Sequence, residues 1–259
     1  MTMPRFLIHP SAVKGGKATL TGAQFHHAGR VLRIKPGEIV ALFDGAGKEY
    51  LARVESVGRE EMRLDIVRET TSEGDSAFRL TVLQSIVKAP AMDLILQKCS
   101  ELGAARLVAV PTVRSTARIP ADKAHARLQR WQRIANHSAQ QCGRAGPMTV
   151  QIAANLDEAL RMKDEPLVAL HEEEKASGIA DAAHRCRGLS SASVFIGPEG
   201  GFSPEEVQRL KESGAIFASL GPRILRAETA AITATALLMY ELGDLGRWLG
   251  GAATAARRA

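Results

Sequence analysis

Cysteine and aromatic residues are scarce in this sequence of 259 residues: there are three Cys, and Phe, Trp and Tyr together make up 4%. Cys99, Cys142 and Cys186 lie far apart with no CxxC pair, which argues against a disulfide framework and against a cysteine zinc site. They read as reduced thiols of a cytoplasmic protein. No segment approaches the roughly 18 consecutive apolar residues of a membrane span, and no apolar run follows a basic start, so a soluble, untargeted protein is expected. Two nucleotide signatures are also missing. There is no GxGxxG after a first strand and no GxxxxGK[ST], which weakens the dinucleotide and P-loop readings. His171-Glu172-Glu173-Glu174-Lys175 opens like HExxH but lacks the second His. It reads as a strand end and a solvated charge run, with His171 near a pocket, and no metal is expected.

What is present is a core and a concentrated positive charge. Hydrophobic residues make up 45%, enough to bury one large or two modest domains. The net charge is +6 and the pI about 9.5. From Arg106 to Pro147 there are eight Lys or Arg and a single acid, Asp122, so this stretch carries the whole excess. Such a block suits a polyanionic partner, and a solvated surface helix is the plain alternative.

Residues 1–72 alternate short apolar strands with tight turns, the pattern of a small β-barrel. Asp44-Gly45-Ala46-Gly47 marks a hairpin, and His26 to Arg33 a short helix feeding the turn Lys35-Pro36-Gly37. The polar run Thr70 to Ser76 marks a boundary. From residue 77 to 247 strands and helices alternate, the mark of a mostly parallel α/β sheet, with strands at 80–86, 106–110, 149–152, 167–170, 193–196 and 215–220. Helix 92–102 ends at Gly103, where a C-cap glycine belongs. Helix 122–141 segregates Lys123, Arg127, Arg130 and Arg133 from its apolar face, which favours a nucleic-acid contact. Residues 248–259 form a small basic tail expected to fray.

Two strand, loop, helix units follow one another from Ser191 to Leu238. Gly197-Pro198-Glu199-Gly200-Gly201 exposes backbone amides with almost no side-chain bulk, suiting a flat ligand or an ordinary turn. Ser203, Pro204 and Glu206 then spell a capping box. The second loop, Gly221 to Arg226, adds the apolar Ile224 and Leu225 and brings Arg226, Glu228 and Thr229 to a helix start.

Phe195 to Ser203 and Leu220 to Ala230 resemble the signature loops of the RsmE family, S-adenosylmethionine-dependent 16S rRNA uridine-N3 methyltransferases of the SPOUT class. The resemblance extends to Lys98 to Gly103, Arg114-Ser115, Gln140 to Arg144, and Val31 to Arg33 with Lys35-Pro36-Gly37. It implies a PUA-like N-terminal barrel and a C-terminal α/β domain with a deep trefoil knot at about 193–242. It also implies a homodimer with the cofactor at the subunit interface, acting on 16S rRNA within the small ribosomal subunit. By the same resemblance the cofactor lies against Leu170, against Ile196, Gly197, Pro198, Glu199, Gly200 and Gly201, and against Leu220, Gly221, Ile224, Leu225, Arg226, Thr229 and Ala230.

Methylation at uridine N3 must displace a proton. Arg226 can stabilise the resulting charge, and Glu228 or Glu199 can accept the proton. Helix capping by Glu228 and a structural ion pair for Arg226 are the alternatives. Arg114, at a strand end, is a further candidate, with the subunit that supplies it left open. RNA contacts are expected from Arg5, His27, Arg30 and Arg33 in the barrel, and from Arg118, Lys123, Arg127, Arg130, Arg133 and Arg144. Two other readings remain open, a non-catalytic RNA-binding assembly factor and a SPOUT enzyme acting on another RNA.

Overall fold

The computed structural model of the protein describes residues 3–45, 47–71, 76–144 and 146–246. The tail expected at 248–259 and Ala46 of the hairpin lie outside the described residues. Contacts divide the chain into two compact units. One takes the described residues of 1–75 and 136–147, the other those of 76–135 and 148–259.

The first unit contains β1 (Arg5–Leu7), β2 (Val13–Lys14), β3 (Lys17–Thr21), α1 (Gly22–Phe25), β4 (Ile39–Phe43), β5 (Lys48–Val57) and β6 (Glu61–Thr71). Period-two burial builds one face: Ala18 and Leu20 in β3, Tyr50, Ala52 and Val54 in β5, Met62 and Leu64 in β6. The strands form one sheet in the order β1-β4-β5-β6-β3-β2, antiparallel except for β1 against β4. Register shifts between Leu51 and Ala52 and between Val54 and Ser56 are where β5 bends, and the sheet curls round Phe6, Phe25, Leu42 and Leu64. The expected barrel is thus an open half-barrel, because its edge strands β1 and β2 have only three and two residues. The expected short helix starts earlier, at Gly22, and continues as a π-wound turn over His26–Val31.

The second unit follows the expected alternation: β7 (Arg79–Ser85), α2 (Ala89–Glu101), β8 (Arg106–Val110), α3 (Ala121–Cys142, whose last residues belong to the first unit), β9 (Thr149–Ile152), α4 (Leu156–Met162), β10 (Leu167–Leu170), α5 (Ile179–Arg185), β11 (Ser191–Ile196), α6 (Pro204–Glu212), β12 (Ile216–Ala218) and α7 (Ala227–Glu241). The sheet order is β12-β10-β11-β7-β8-β9, parallel throughout. Helices on both faces bury the strands, so β7, β8, β10 and β11 read as continuous buried runs. Val82, Val168 and Val194 face one helical layer with Met92, Leu96 and Leu238. Leu83, Val108 and Phe195 face the other with Phe202 and Leu210.

β12 lies at the sheet's edge, yet α7 returns to the middle and packs on α2, α5, β7 and β11. Small residues allow that approach. Ala227, Ala231 and Ala234 are buried, and Cys99 Sγ meets Thr235 Oγ1 at 3.4 Å. At the end of α2, Gly103 takes φ +100°, and a Cβ there would stand 2.8 Å from Met239 Cε. Only glycine meets both conditions.

Candidate functional site

Because every strand of the second sheet runs the same way, the loops after β8, β10, β11 and β12 leave one edge together. Ligands of open α/β sheets bind outside such carboxyl ends. Here the loops are tied to one another by specific bonds.

The loop after β11 is held first by its own helix start. Glu206 N donates to Ser203 Oγ at 3.2 Å, and Ser203 N donates to Glu206 Oε2 at 2.8 Å, closing the capping box that the sequence spells. Glu206 is only 5% exposed, and its other oxygen accepts the amide of Val113 at 2.8 Å. One buried carboxylate therefore joins the loop after β8 to the start of α6. Arg114 reinforces the seam by donating through Nη1 to the carbonyl of Gly200 at 2.9 Å, and Thr116 donates to Glu199 Oε2 at 3.3 Å. The neighbouring turn is closed by Thr112 and Ser115, whose hydroxyls are 2.8 Å apart. The Ser203 hydrogen bond is the main cause that holds the exposed Glu205 carboxyl below its ordinary value, and Arg114 adds to it.

Of the glycines in this loop, Gly201 is the one that its surroundings require, while Gly197 and Gly200 would meet only ordinary contacts. A Cβ on Gly197 would lie 3.4 Å from the Phe202 ring, and one on Gly200 would lie 3.4 Å from Arg114 Cβ. Gly201 has φ +68°, and a Cβ there would lie 2.5 Å from Glu172 Oε1. Glu172 therefore belongs at this mouth, and it is exposed, as the solvated run read from the sequence expects. Beside it, half-buried His171 packs edge-on against Phe217 at 5.7 Å, and its amide donates to the carbonyl of Ala218 at 3.0 Å.

The loop after β12 is anchored at its base. Ser219 donates its amide to the Ser177 carbonyl and accepts that of Ile179, both at 2.9 Å, and its Oγ accepts from Gly221 N at 3.1 Å. Beyond it, Gly221, Pro222, Arg223, Ile224 and Arg226 are exposed, and Ile224 reaches 90%. Arg226 is the N-cap of α7 but makes no capping bond, and Glu228 sits half-buried in the first turn. Thr229 is exposed, while Leu220, Leu225 and Ala230 are half-buried. Leu170 and Ile196 are buried beneath the loops as flooring.

The cations expected to meet RNA fall into different settings. In the first unit, Arg5 is turned inward: it pairs with Glu49, donates to the Gly143 carbonyl at 2.9 Å and lies over the Phe43 ring. His27 packs edge-on against Phe6, and Arg144 is buried at 8% exposure, while Arg30 and Arg33 are exposed. On α3, Lys123 and Arg133 are exposed, Arg127 lies over the Trp131 ring at 6.0 Å, and Arg130 grips Asp93 through two bonds of 2.7 and 2.5 Å. Arg118 is exposed in the loop leading to α3. Among the described residues no group of three or more His, Cys, Asp or Glu can hold a metal ion, and no helix is long and apolar enough to cross a membrane.

A curled β unit and a parallel α/β unit with glycine loops at its carboxyl edge define a protein of the α/β class whose candidate ligand site lies at that edge. Comparison with known families narrows this. Residues 74–239 match an RNA methyltransferase domain and residues 20–67 an RNA methyltransferase PUA domain. The chain belongs to this RNA methyltransferase family, alongside the proteins named ribosomal RNA small subunit methyltransferase E. It is 32% identical to the Mycobacterium bovis protein of that name over 235 residues, covering 85% of each chain. It is 29% identical to the Bacillus subtilis one, covering 86% of this chain and 90% of the other. Among solved structures, ribosomal RNA small subunit methyltransferase E from Neisseria gonorrhoeae, bound to S-adenosylmethionine, superposes with a TM-score of 0.83 at 33% identity, covering 94% of this chain and 99% of that one.

Proposed function

We propose that this protein methylates N3 of a uridine in 16S rRNA of the small ribosomal subunit, with S-adenosylmethionine as methyl donor and two copies of the chain completing the site. The observation that carries the reading is the seam in which Arg114 and Glu206 lock the loop after β8 onto the glycine loop after β11. That seam holds the glycine loop in place at the carboxyl edge of the sheet.

The residues fit the donor. The loops 197–201 and 220–225 offer amides and carbonyls to a flat purine nucleoside, Ile224 and Leu225 offer apolar cover, and Glu172 is a carboxylate without an ion pair among the described residues. When bound, S-adenosylmethionine supplies an electrophilic methyl group on a sulfonium. The protein's part is to place uridine N3 in line with that methyl; near-attack positioning is worth roughly 7–11 kcal/mol. The N3 proton passes to a carboxylate, for which Glu228 in the first turn of α7 and Glu199 on the glycine loop are the candidates. Arg226 stabilises the negative charge that appears on the ring oxygens, as an oxyanion hole does. Arg114 orders the loop through Gly200 and presents its remaining guanidinium donors at the same edge.

Ile224 at 90% exposure and Val113 at 69% support a subunit interface over these loops. The trefoil knot over about 193–242 belongs to the same reading and is supported by the return of α7 from the edge strand β12 to β7 and β11. The target uridine must leave its stack to reach the site. Exposed Arg118, Lys123 and Arg133 supply phosphate contacts.

The test is transfer of labelled methyl from S-adenosylmethionine to small ribosomal subunits lacking the modification, followed by identification of the labelled nucleoside. Label in N3-methyluridine is the expected result. Label in another RNA or nucleoside would move the substrate. Failure to bind the donor at all would leave an RNA-binding assembly factor as the better account.

A further inference from the structure

A cleft of about 610 Å³ opens on the half-barrel between the π-wound turn after α1 and the turn that joins β5 to β6. Thr21, Phe25, His26, Arg30, Arg59 and Glu60 line it. The i→i+5 winding of His26–Val31 brings His26 and Arg30 to one side, and the tight turn closed by Gly58 N on Glu61 O at 2.8 Å carries Arg59 and Glu60 opposite them. Neither arginine nor Glu60 forms an ion pair with a described residue, whereas Glu61 on the rim is already held by Arg63 at 2.9 Å. Phe25, 8% exposed, gives the cleft an aromatic floor.

Each group suits one part of a ribonucleotide. The guanidinium forks of Arg30 and Arg59 match the oxygens of a phosphodiester. The Phe25 side of the cleft is an apolar surface for a base that has left its stack. Glu60, when ionised, only accepts, so it calls for a donor such as a ribose 2′-hydroxyl or an exocyclic amine. The volume lies within the roughly 300–1,000 Å³ typical of small-ligand sites. We propose that this cleft is a second RNA site that holds one splayed nucleotide of the strand, with its phosphate on Arg30 and Arg59 and its ribose hydroxyl on Glu60. The choice of RNA as the polymer rests on the proposed function.

The test uses the full-length protein, a short fluorescent single-stranded RNA, the DNA of the same sequence and small ribosomal subunits lacking the modification. In the Arg30→Ala, Arg59→Ala double variant, RNA affinity should fall roughly tenfold, and the slope of log K against log salt should flatten by about 0.7, the change for one phosphate charge no longer neutralised. Binding of S-adenosylmethionine should not change. Glu60→Gln should narrow the preference for RNA over DNA while retaining folding and donor binding. Unchanged RNA affinity and salt slope in the double variant would overturn the proposal. So would lost subunit binding with undiminished affinity for the free RNA, which would assign the cleft to a ribosomal protein. Methyl transfer by the wild type, read in the same preparation, separates this from the proposed function: an inactive wild type whose RNA binding still depends on Arg30 and Arg59 would sink only the latter.

Discussion

The buried carboxylate of Glu206 accepts the backbone amide of Val113 at 2.8 Å, across 93 residues of sequence. The same carboxylate caps α6, so one side chain both starts a helix and fixes the neighbouring loop. Truncation to Ala would strand the amides of Val113 and Ser203. Glu206→Ala should cost about 2–3 kcal/mol in denaturant unfolding and weaken S-adenosylmethionine binding in calorimetric titration, because the glycine loop loses its brace. A variant with wild-type stability and affinity would show the brace to be idle.

Gly201 is constrained twice, by φ +68° and by Glu172 Oε1, 2.5 Å from where a Cβ would sit. Gly201→Ala should lose about 1–2 kcal/mol of stability and impair donor binding. Adding Glu172→Ala should recover only part, since it removes the clash but not the left-handed backbone. Full recovery in the double variant would place the whole constraint on the carboxylate.

Arg226 is exposed, its carbonyl accepts the amide of Ala230 at 2.8 Å, and its side chain makes no capping bond and no ion pair with a described residue. Its replacement by Ala should leave the melting temperature near that of the wild type and reduce single-turnover methyl transfer by roughly 10²–10³-fold. Arg114→Ala should reduce transfer too, and also loosen the loop whose Gly200 carbonyl it holds. Normal turnover in both variants would end the assignment of roles.

Burial pushes the Cys99 thiol up from 9.0 to about 12, and the Cys186 thiol is also raised by burial, whereas Cys142 is exposed. Native protein at neutral pH should therefore show one fast-reacting thiol with an aromatic disulfide reagent, and three after unfolding. The linkage has a definite sign. The folded state holds the Cys99 proton more tightly than the unfolded chain, so this contribution is intact below pH 9.0 and is lost as pH rises toward about 12. A stability that rises over that alkaline range would contradict the burial of Cys99.

Much of the scaffold was legible because local patterns report burial. The alternation in β3, β5 and β6 gave one face of the half-barrel, the continuous apolar runs of β7, β8, β10 and β11 gave a two-sided parallel sheet, and Ser203, Pro204 and Glu206 announced α6. The closure expected of the first unit was not legible in this way, since strand pairing at an edge depends on lengths of two and three residues. Nor was the place of Glu172 beside Gly201, because exposure along a charge run does not say which loop lies against it.

By itself, then, the sequence determined the strands of the parallel sheet and the helices after β7, β8, β11 and β12, where the glycine loops fall, and that positive charge gathers between residues 106 and 147. Those properties depend on neighbours along the chain. Tertiary structure alone decided that Arg114 meets Gly200 across 86 positions, that Arg130 spends its fork on Asp93 across 37, and that Arg5 turns to Gly143 across 138. It also set Arg59 and Glu60 opposite Arg30 on one cleft. The reason is that a side chain's partner is chosen by where other elements carry their charges and carbonyls, and no periodicity within a segment encodes that position.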